Sequence, residues 1–268
     1  MSEAVLRIDR LSKTFGGVKA LANVTLSIPP GRIFSLIGPN GAGKTSLFNC
    51  VSGLERASAG QVFLYRDGAP VRLTGKRADA ISVLGIARTF QNIRLFKQLS
   101  VLDNVKIGLH GRTRSAFLGA VLRTPAQRRE EEEIGERALQ ALRLVGLEGF
   151  RREHAATLSY GAQRRLEIAR AVVSQPRLLL LDEPAAGLNP SETRELMDLL
   201  NRLLAGGRAI FLIEHDMRLV MGISHRVAVL DHGEKIAEGA PEEVQRDERV
   251  IEAYLGRRRG RKGEGAGA

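Results

Sequence analysis

The sequence predicts an α/β fold that combines a mostly parallel sheet with an inserted helical region, and three observations lead to this fold class. Apolar, strand-like segments alternate with helix-like segments after Pro176. A glycine-rich loop lies between a strand-like run and a helix-compatible run, and the pattern from Ser100 to about Ala171 is helical. The chain has 268 residues, of which 43% are apolar, so it can bury one core or two closely joined cores.

The first part of the chain, up to about Thr89, is predicted to form short strands. The strand-like segments are VLRID, VTLSI, RIFSLI, QVFLY and GIARTF, and proline and glycine residues separate them as turns. The only helix that we expect in this part follows Lys44.

The middle part, from Ser100 to about Ala171, is predicted to be a helical subdomain inserted in the first. Ser100 suits the N-cap of a helix, and Asp103 suits its first turn, because a carboxylate there faces the positive end of the helix dipole. The segment from Gly111 to Glu133 combines a short apolar patch with a basic run and an acidic run. We interpret these charges as a solvated helix face.

The last part, after Pro176, alternates strands with helices, which predicts a mostly parallel sheet. The strand-like segments are RLLLLDEP, AIFLIEH, RVAVLDHG and EKIAEG, and the helix-like segments are SETRELMDLLNRLLAG and DMRLVMGIS. Pro241, Glu242 and Glu243 begin a last short helix, because proline and acidic residues suit a first turn. Residues 257–268 form a basic, glycine-rich tail that we expect to be disordered.

The glycine-rich loop is GPNGAGKT, and it has the spacing G-x-x-x-x-G-K-[ST] of a phosphate-binding loop. Its glycines let backbone N–H groups turn toward a triphosphate, and the following helix presents its positive end. Lys44 is expected to reach the β- and γ-phosphates, and Thr45 the Mg²⁺. A dinucleotide fingerprint is excluded, because neither Gly38 nor Gly41 begins G-x-G-x-x-G. The residues expected to bind nucleotide are Gly38, Pro39, Asn40, Gly41, Ala42, Gly43, Lys44, Thr45 and Ser46.

Two apolar strands are predicted to end on polar residues that suit phosphate chemistry. The run LLLL is followed by Asp182 and Glu183. Asp182, which we expect beside the phosphate loop, can hold Mg²⁺ through water, and Glu183 can act as the general base on an attacking water. The run AIFLI is followed by Glu214 and His215, and His215 is a candidate γ-phosphate contact at the same edge of the sheet.

Composition limits the remaining function classes. Cys50 is the only cysteine, which excludes an intrachain disulfide and a cysteine-based metal site, and we expect it to be a small buried side chain. The net charge of +11 is typical of proteins that bind nucleic acid or anionic membranes, but part of it lies in the tail. The start lacks the apolar stretch of a signal peptide, and no run approaches about 18 apolar residues, so we expect a cytosolic chain. His110, His154, His225 and His232 are assigned no role.

One more segment, LSYGAQRRLEIARAV, lies between the phosphate loop and the strand that ends on Asp182. With this segment as signature motif, the chain resembles the ATP-binding cassette (ABC) ATPases over nearly its whole length. The resemblance implies a P-loop NTPase (RecA-like) core with an antiparallel β subdomain and an inserted α-helical subdomain. It implies one domain over residues 1–256, with the core and β subdomain at 1–91 and 172–256 and the helical subdomain at about 92–171.

The same resemblance assigns roles to residues outside the phosphate loop. Gln91, in TFQN, matches the Q-loop glutamine that contacts nucleotide and Mg²⁺, and His215 matches the switch histidine. Phe15, in KTFGGVKAL, matches the aromatic residue that stacks on adenine. The segment AAGLNP supplies the D-loop around residues 187–189.

The signature motif departs from the usual LSGGQ at two positions. Tyr160 replaces the first glycine, and Ala162 replaces the glutamine. Ser159 and Gly161 remain, and the resemblance implies that these two contact phosphate by a hydroxyl and by close backbone approach. The expected role in ATP binding is therefore retained.

Further segments resemble one subgroup, the G-type ATPases of branched-chain amino acid importers. These segments are AAGLNP, EHDMRLVMGISHRVAVLDHG and the ending VIEAYLG, together with the insertion around residues 118–129. The run LSYG followed by QRRLEIAR belongs to the same resemblance. His215 and Asp216 favour the G-type, because the sister F-type usually has glutamine and asparagine after the glutamate that corresponds to Glu214.

The resemblance also implies partners and a location. In this family two cassettes close head to tail, so the phosphate loop of one and the signature motif of the other share each ATP. We therefore expect a second cassette (an F-type paralogue or a second copy), two membrane permease subunits, a periplasmic or extracellular substrate-binding protein, and no nucleic acid. We expect the chain at the cytoplasmic side of the bacterial inner membrane, where ATP hydrolysis with Mg²⁺ drives transport.

Three alternatives use the same phosphate loop. The first is the ATPase of a lipopolysaccharide-type or other exporter, which generally lacks the longer insertion between residues 108 and 129. The second is a non-transport ABC ATPase that acts on nucleic acid or ribosomes, which generally has two tandem cassettes or a long coiled-coil insertion. A P-loop kinase or GTPase is disfavoured by the signature motif and by the lack of N-K-x-D. The transported substrate and the homo- or heterodimeric pairing stay open.

Overall fold

The computed structural model describes residues 4–66, 68–109 and 125–260, and these fall into two compact units. Unit 1 is drawn from residues 1–78 and 207–268, and unit 2 from residues 79–206. In chain order the strands and helices are β1 (Leu6–Phe15), β2 (Val18–Ile28), β3 (Ile33–Ile37), α1 (Lys44–Val51), β4 (Ala59–Arg66), β5 (Ala69–Arg72), α2 (Ala78–Val83), β6 (Ile86–Arg88), α3 (Val101–Ile107), α4 (Pro125–Leu144), α5 (Tyr160–Val172), β7 (Leu178–Asp182), α6 (Pro190–Ala205), β8 (Ala209–Ile213), α7 (Met217–Ile223), β9 (Arg226–Asp231), β10 (Glu234–Gly239), α8 (Pro241–Arg246) and α9 (Glu248–Gly260).

The strands of unit 1 form an antiparallel sheet and a mostly parallel one. The antiparallel sheet has the strand order β2-β1-β4-β5, and the other places its strands in the order β10-β9-β3-β8. Strand β3 pairs in parallel with both β8 and β9, and β3 and β8 are buried along their whole length. Their apolar runs are continuous because a parallel strand that is covered on both faces has no solvent side. Phe34 of β3 and Phe48 of α1 both pack against the ring of Phe211 in β8.

Unit 2 combines a parallel strand pair with helices. Strands β6 and β7 pair in parallel, and β7 is buried throughout, which accounts for its four consecutive leucines. Helices α3, α4 and α5 pack against one another. Helix α6 begins with a capping box, in which the Asn189 side chain accepts from the Glu192 N–H and Glu192 accepts from the Asn189 N–H.

Most of the predicted elements are present. The parallel pairing of β3 with β8 and β9, and of β6 with β7, confirms the predicted α/β fold with a mostly parallel sheet. Ser100 is the N-cap of α3, and its hydroxyl accepts from the Asp103 N–H at 3.0 Å, as predicted. Pro241 begins α8, and two glutamates stand in its first turn.

Two predictions about the elements need correction. The first strand does not end at Asp9 but continues to Phe15, because register shifts with β2 and a positive φ of 45° at Arg10 interrupt the alternating pattern without ending the pairing. Helix α1 is not the only helix before Thr89, since the six-residue α2 precedes β6. Helix α9 extends to Gly260, and the predicted disorder of residues 257–268 stays a prediction.

Some predictions concern residues outside the described part of the chain, and one concerns boundaries that the structure does not test. The insertion around residues 118–129 lies largely outside the described residues, as do His110 and residues 261–268 of the tail. The predicted boundaries of the helical subdomain, at about 92 and 171, stay a prediction. None of the helices in the described part of the chain is both long enough and apolar enough to span a membrane.

Candidate functional site

The phosphate loop of unit 1 connects β3 to α1, and two of its glycines lie where a side chain could not fit. A Cβ on Gly38, whose φ is 148°, would come within 2.1 Å of the Leu230 carbonyl oxygen in β9. A Cβ on Gly43, whose φ is 99°, would come within 2.4 Å of the Ala20 carbonyl oxygen in β2. The glycines at both ends of the loop are therefore required by the neighbouring backbone as well as by the turn itself.

Further backbone contacts hold the middle of this loop. Gly233, in the turn between β9 and β10, donates its N–H to the Ala42 carbonyl at 3.1 Å and accepts from the Ala22 N–H at 2.8 Å. Near the loop, Val250 of α9 packs in the apolar cluster that contains Ile37, the last residue of β3. The phosphate loop is thus fixed by β2, β9 and the turn after β9, none of which is part of its own sequence motif.

Lys44 lies back over its own loop. Its ammonium group donates to the carbonyl oxygens of Gly38 at 2.6 Å and Pro39 at 2.9 Å, and the residue is only 8% exposed. Thr45, Asn40 and Gly41 are exposed, and Ser46 is half-buried. The loop therefore combines the fixed ammonium group of Lys44 with accessible backbone and hydroxyl groups, and this combination suits an anionic phosphate.

Phe15 and His215 are the other predicted site residues of unit 1, and the side chains of both reach solvent. The Phe15 ring, at the end of β1, is 43% exposed and has the Lys13 ammonium 4.4 Å from its centroid. His215 follows β8, and its side chain is 64% exposed. The buried carboxylate of Glu214 accepts from the backbone N–H of His215 at 3.1 Å, which fixes the chain where it leaves the strand.

In unit 2, Asp182 ends β7 and is paired with an arginine that the sequence reasoning missed. The Arg88 guanidinium, at the end of β6, donates to the Asp182 carboxylate at 2.9 Å, and both side chains are buried. Parallel pairing of Arg88 and Leu180 brings the two strand ends together. This charge-assisted hydrogen bond fixes the orientation of the Asp182 carboxylate at the end of β7.

Glu183 follows directly and has a backbone conformation that is rare for a residue with a side chain. Its φ is 46°, in the left-handed region, and such conformations cluster at functional sites. Its carboxylate accepts a hydrogen bond from the Gln91 side-chain amide at 3.0 Å. The structure thus brings together Glu183, Gln91 and Asp182, three of the residues that the sequence selected, at the end of the β6–β7 pair. The predicted proximity of Asp182 to the phosphate loop stays a prediction.

The signature motif forms the beginning of α5. Ser159 is the N-cap, and its hydroxyl accepts from the Ala162 N–H at 3.3 Å, while the residue itself remains exposed. Gly161 is buried, and a Cβ there would come within 2.5 Å of the Glu192 carboxylate in α6. The close approach at Gly161 is therefore made by Glu192 of the same chain, and its predicted contact with a partner's phosphate stays a prediction.

A buried ion pair lies one turn along α5, and no sequence pattern had indicated it. Arg164 and Glu167 are both about 1% exposed, and their charged groups are 2.9 Å apart. Burial raises the pKa of Glu167, and the nearby Arg164 opposes this rise. Opposite charges three residues apart on a helix normally predict an ion pair on the surface. Only the packing of the folded chain shows that this ion pair is buried.

The remaining candidates behave as structural residues. Cys50 is buried, which confirms the prediction, and burial raises the pKa of its thiol to about 11. His225 Nδ1 accepts from the Ile33 N–H at 3.2 Å, and His154 Nδ1 lies 2.8 Å from the Gln98 carbonyl. Among the described residues, no group of three or more His, Cys, Asp or Glu side chains has the arrangement of a metal site.

Comparison with known proteins identifies the class to which these features belong. A family model described as ABC transporter matches residues 21–186, and one described as Branched-chain amino acid ATP-binding cassette transporter matches residues 234–259. The high-affinity branched-chain amino acid transport ATP-binding protein LivG of Escherichia coli (strain K12) is 45% identical over 257 residues, which cover 96% of this chain and 99% of that protein.

Solved structures give the same result for the fold. The ADP conformation of an ATP-binding cassette of an ABC transporter is 31% identical, has a TM-score of 0.82, and covers 94% of this chain and 99% of its own. A dimeric, post-hydrolysis ATP-binding cassette bound to ADP and Pi is 28% identical, with a TM-score of 0.72 and coverages of 88% and 98%. The predicted P-loop NTPase core, with its antiparallel β and helical parts, is thereby confirmed.

Proposed function

Because this chain belongs to the ABC transporter family, we propose that it is the ATP-hydrolysing subunit of an importer of branched-chain or related amino acids. The similarity to LivG over almost the full length of both chains supports this function more than it supports an exporter or a non-transport ATPase. The second family match, near the C-terminus, supports the same substrate class.

The residues of the phosphate loop fit the triphosphate of ATP. Gly38 and Gly43 leave the backbone without side chains at two positions of the loop, and the Lys44 ammonium group lies over the loop. In the proposed function the loop residues 38–46 bind the phosphates, and Phe15 stacks on the adenine. The exposure of Phe15 supports this role, since part of the residue is accessible to a planar partner.

The oxygen-bearing side chains fit Mg²⁺, which takes oxygen ligands and keeps several waters. Thr45, Gln91 and Asp182 are the proposed residues for holding it, with Asp182 acting through water. When bound, Mg²⁺ neutralises negative charge on the phosphate oxygens. The Arg88 guanidinium keeps the Asp182 carboxylate oriented for this task.

The observation that carries the proposed hydrolysis is the geometry at Glu183. This residue directly follows a buried strand, has a left-handed backbone, and is hydrogen-bonded to Gln91. A carboxylate fixed in this way can accept a proton from an attacking water as a general base. We assign His215 the contact with the γ-phosphate, and the backbone at its strand end is held by Glu214.

The proposed assembly is a head-to-tail pair of cassettes on two membrane permease subunits, at the cytoplasmic side of the inner membrane. In that pair Ser159 and Gly161 complete the ATP site of the partner cassette. The exposed N-cap position of Ser159, at the positive end of a 13-residue helix, supports such a contact. Closing and opening of the pair would bias the permeases between two states, while a substrate-binding protein delivers the amino acid.

Substitution Glu183→Gln tests the general base. It keeps the size of the side chain and the hydrogen bond with Gln91 but removes the basic carboxylate. We expect kcat for ATP hydrolysis to fall at least about 100-fold while ATP affinity stays within about 2-fold. The matched control is Glu153→Gln, on an exposed turn of the same unit, which should leave both quantities unchanged. Hydrolysis at the wild-type rate in Glu183→Gln would contradict the assignment.

Uptake measurements test the transported substrate. Cells that lack this chain should lose energy-dependent uptake of radiolabelled leucine, and the wild-type chain but not Glu183→Gln should restore it. Normal leucine uptake in the deleted cells would contradict the proposed substrate class and leave the ATPase assignment standing.

A further inference from the structure

Tyr160 makes a contact that the glycine usual at this signature position could not make. It is the first residue of α5, and its hydroxyl donates to the carbonyl of Ala186 at 3.1 Å, in the D-loop segment after Glu183. Its ring lies over Gly187, where an added Cβ would come within 3.1 Å of the Tyr160 ring carbon. A side chain at position 187 would therefore displace the ring, so the two residues fit as a pair.

Arg164 extends this contact toward Gln91. It lies one turn along α5, is about 1% exposed, and donates to the Tyr160 hydroxyl at 3.4 Å. The same guanidinium donates to the backbone carbonyls of Phe90 at 2.9 Å and Gln91 at 2.8 Å, and it forms the buried ion pair with Glu167. Burying a guanidinium is costly unless hydrogen bonds compensate for the lost water, and the bonds made by its two terminal nitrogens fix the backbone at Gln91 to α5.

The Gln91 side chain makes the last contact in this network. Its amide donates to the Glu183 carboxylate at 3.0 Å, and the Glu183 carbonyl accepts from the Ala186 N–H at 3.2 Å. The path thus runs from Tyr160 to Ala186, back to Glu183, across to Gln91, and through Arg164 to Tyr160 again. All five residues lie in unit 2.

We infer that Tyr160 is a positioning residue, which ties the signature end of α5 to the D-loop and, through Arg164, to the segment that carries Gln91. This inference rests on the proposed function for the roles of Ser159, Gln91 and Glu183. Its consequence is that the signature serine, which serves a partner cassette, and the general base of the same chain cannot shift independently. The tyrosine hydroxyl is the group that makes this link, because a glycine offers nothing that can reach Ala186.

Substitution Tyr160→Phe tests the hydroxyl alone, since the ring can remain over Gly187. We expect kcat for ATP hydrolysis to fall about 5-fold with KM for ATP within about 2-fold, since the loss corresponds to one hydrogen bond of ordinary net strength. We also expect amide hydrogen exchange to become about 5-fold faster in two segments, residues 159–163 and 185–188. The matched control is Tyr65→Phe, on β4 of unit 1, which should change neither the kinetic constants nor the exchange rates of the two segments.

A second variant tests the other half of the link. Arg164→Lys keeps the buried charge beside Glu167 but cannot reach two carbonyls and the hydroxyl at once. It should accelerate exchange in the same two segments, and its effect on kcat should be less than additive with that of Tyr160→Phe, because both remove one shared network.

The outcomes separate this inference from the proposed function. Unchanged exchange in both segments of Tyr160→Phe would overturn the inference, and so would faster exchange with a wild-type kcat. If the wild-type chain and its assembled transporter hydrolyse no ATP, the proposed function fails, whereas the exchange rates still decide whether Tyr160 joins the two segments. Full additivity of the two substitutions would also overturn the link through Arg164.

Discussion

The two units position their functional residues by different means. In unit 1 the phosphate loop is fixed by backbone, through the close approach of Gly38 to Leu230 and the hydrogen bond from Gly233 to Ala42. In unit 2 the functional residues are fixed by buried charged side chains, namely the Arg88–Asp182 and Arg164–Glu167 pairs. A backbone contact leaves no room for substitution at one position, whereas a side-chain network spreads the requirement over several residues.

This difference explains why the phosphate loop of unit 1 can be recognised from the sequence, whereas the buried ion pairs of unit 2 cannot. A loop that has no room for a side chain at certain positions has glycines there at fixed spacing, and that spacing is a local signal. A buried ion pair leaves only two charges in a helix, which is also what a solvated surface helix shows. The difference also predicts which substitutions each unit tolerates.

The largest effect is expected where a buried charge loses its partner. Arg164→Met leaves the Glu167 carboxylate buried without its guanidinium, and breaking such a pair costs about 3–5 kcal/mol. The free energy of unfolding, measured by urea denaturation, should fall by that amount. The control is Arg165→Met, the next residue, which is partly exposed and pairs with Glu195 on the surface, where the loss should stay below about 1 kcal/mol. Equal losses would contradict the distinction between buried and surface pairs.

A smaller but still clear effect is expected at the phosphate loop. Gly38→Ala brings a Cβ against the Leu230 carbonyl and holds alanine at positive φ, and together these should cost about 2–3 kcal/mol. Gly41→Ala also has positive φ but nothing within 4 Å, so it should cost about 1 kcal/mol. ATP binding, measured by equilibrium titration, should be lost in the first variant and weakened in the second. If both variants bind ATP equally, the backbone contact with β9 does not position the loop.

The smallest effect concerns pH and unit 1. Partial burial, and secondarily the nearby Arg32, lower the pKa of His225 below its ordinary value of 6.5. The folded state therefore resists protonation that the unfolded chain accepts, so stability is full above about pH 6.5 and falls as the pH drops toward the lowered pKa.

His225→Asn removes the titration but can keep an acceptor for the Ile33 N–H. The decrease in Tm between pH 7 and pH 5.5 should be slightly smaller in this variant than in the wild type, because the ring is largely exposed. The exposed His232 provides the control, and His232→Asn should follow the wild type. A variant at position 225 whose Tm follows the wild-type pH profile would show that this ring does not contribute.

The sequence predicted much of the fold because the decisive patterns are local. The apolar runs that became β3, β7 and β8, the cap at Ser100 and the spacing from Gly38 to Thr45 each depend on a few consecutive residues. Prediction failed where a strand stays paired with its neighbour although its sequence no longer alternates between apolar and polar residues. The bulged part of β1 beyond Asp9 is an example, because its irregular register with β2 breaks the alternation that marks a strand.

Arg88, Tyr160 and Arg164 show the limit of sequence reasoning for the site. Nothing near Arg88 in the chain indicates Asp182, 94 residues away, and nothing near Tyr160 indicates Ala186. Tyr160 did stand out as a departure from the usual motif, so a signal existed, but the sequence could not show what its side chain would contact.

Short segments of the sequence were enough to identify the kind of protein. The sequence contained the phosphate loop, the Asp182–Glu183 pair and the signature motif, because these are short segments whose chemistry depends on residue type and spacing. The tertiary structure alone decided how they are held: Gly38 against β9, Asp182 on Arg88, and Tyr160 on Ala186. The physical reason is that these contacts join residues far apart in the chain, which only the folding of the backbone brings within hydrogen-bond or van der Waals distance.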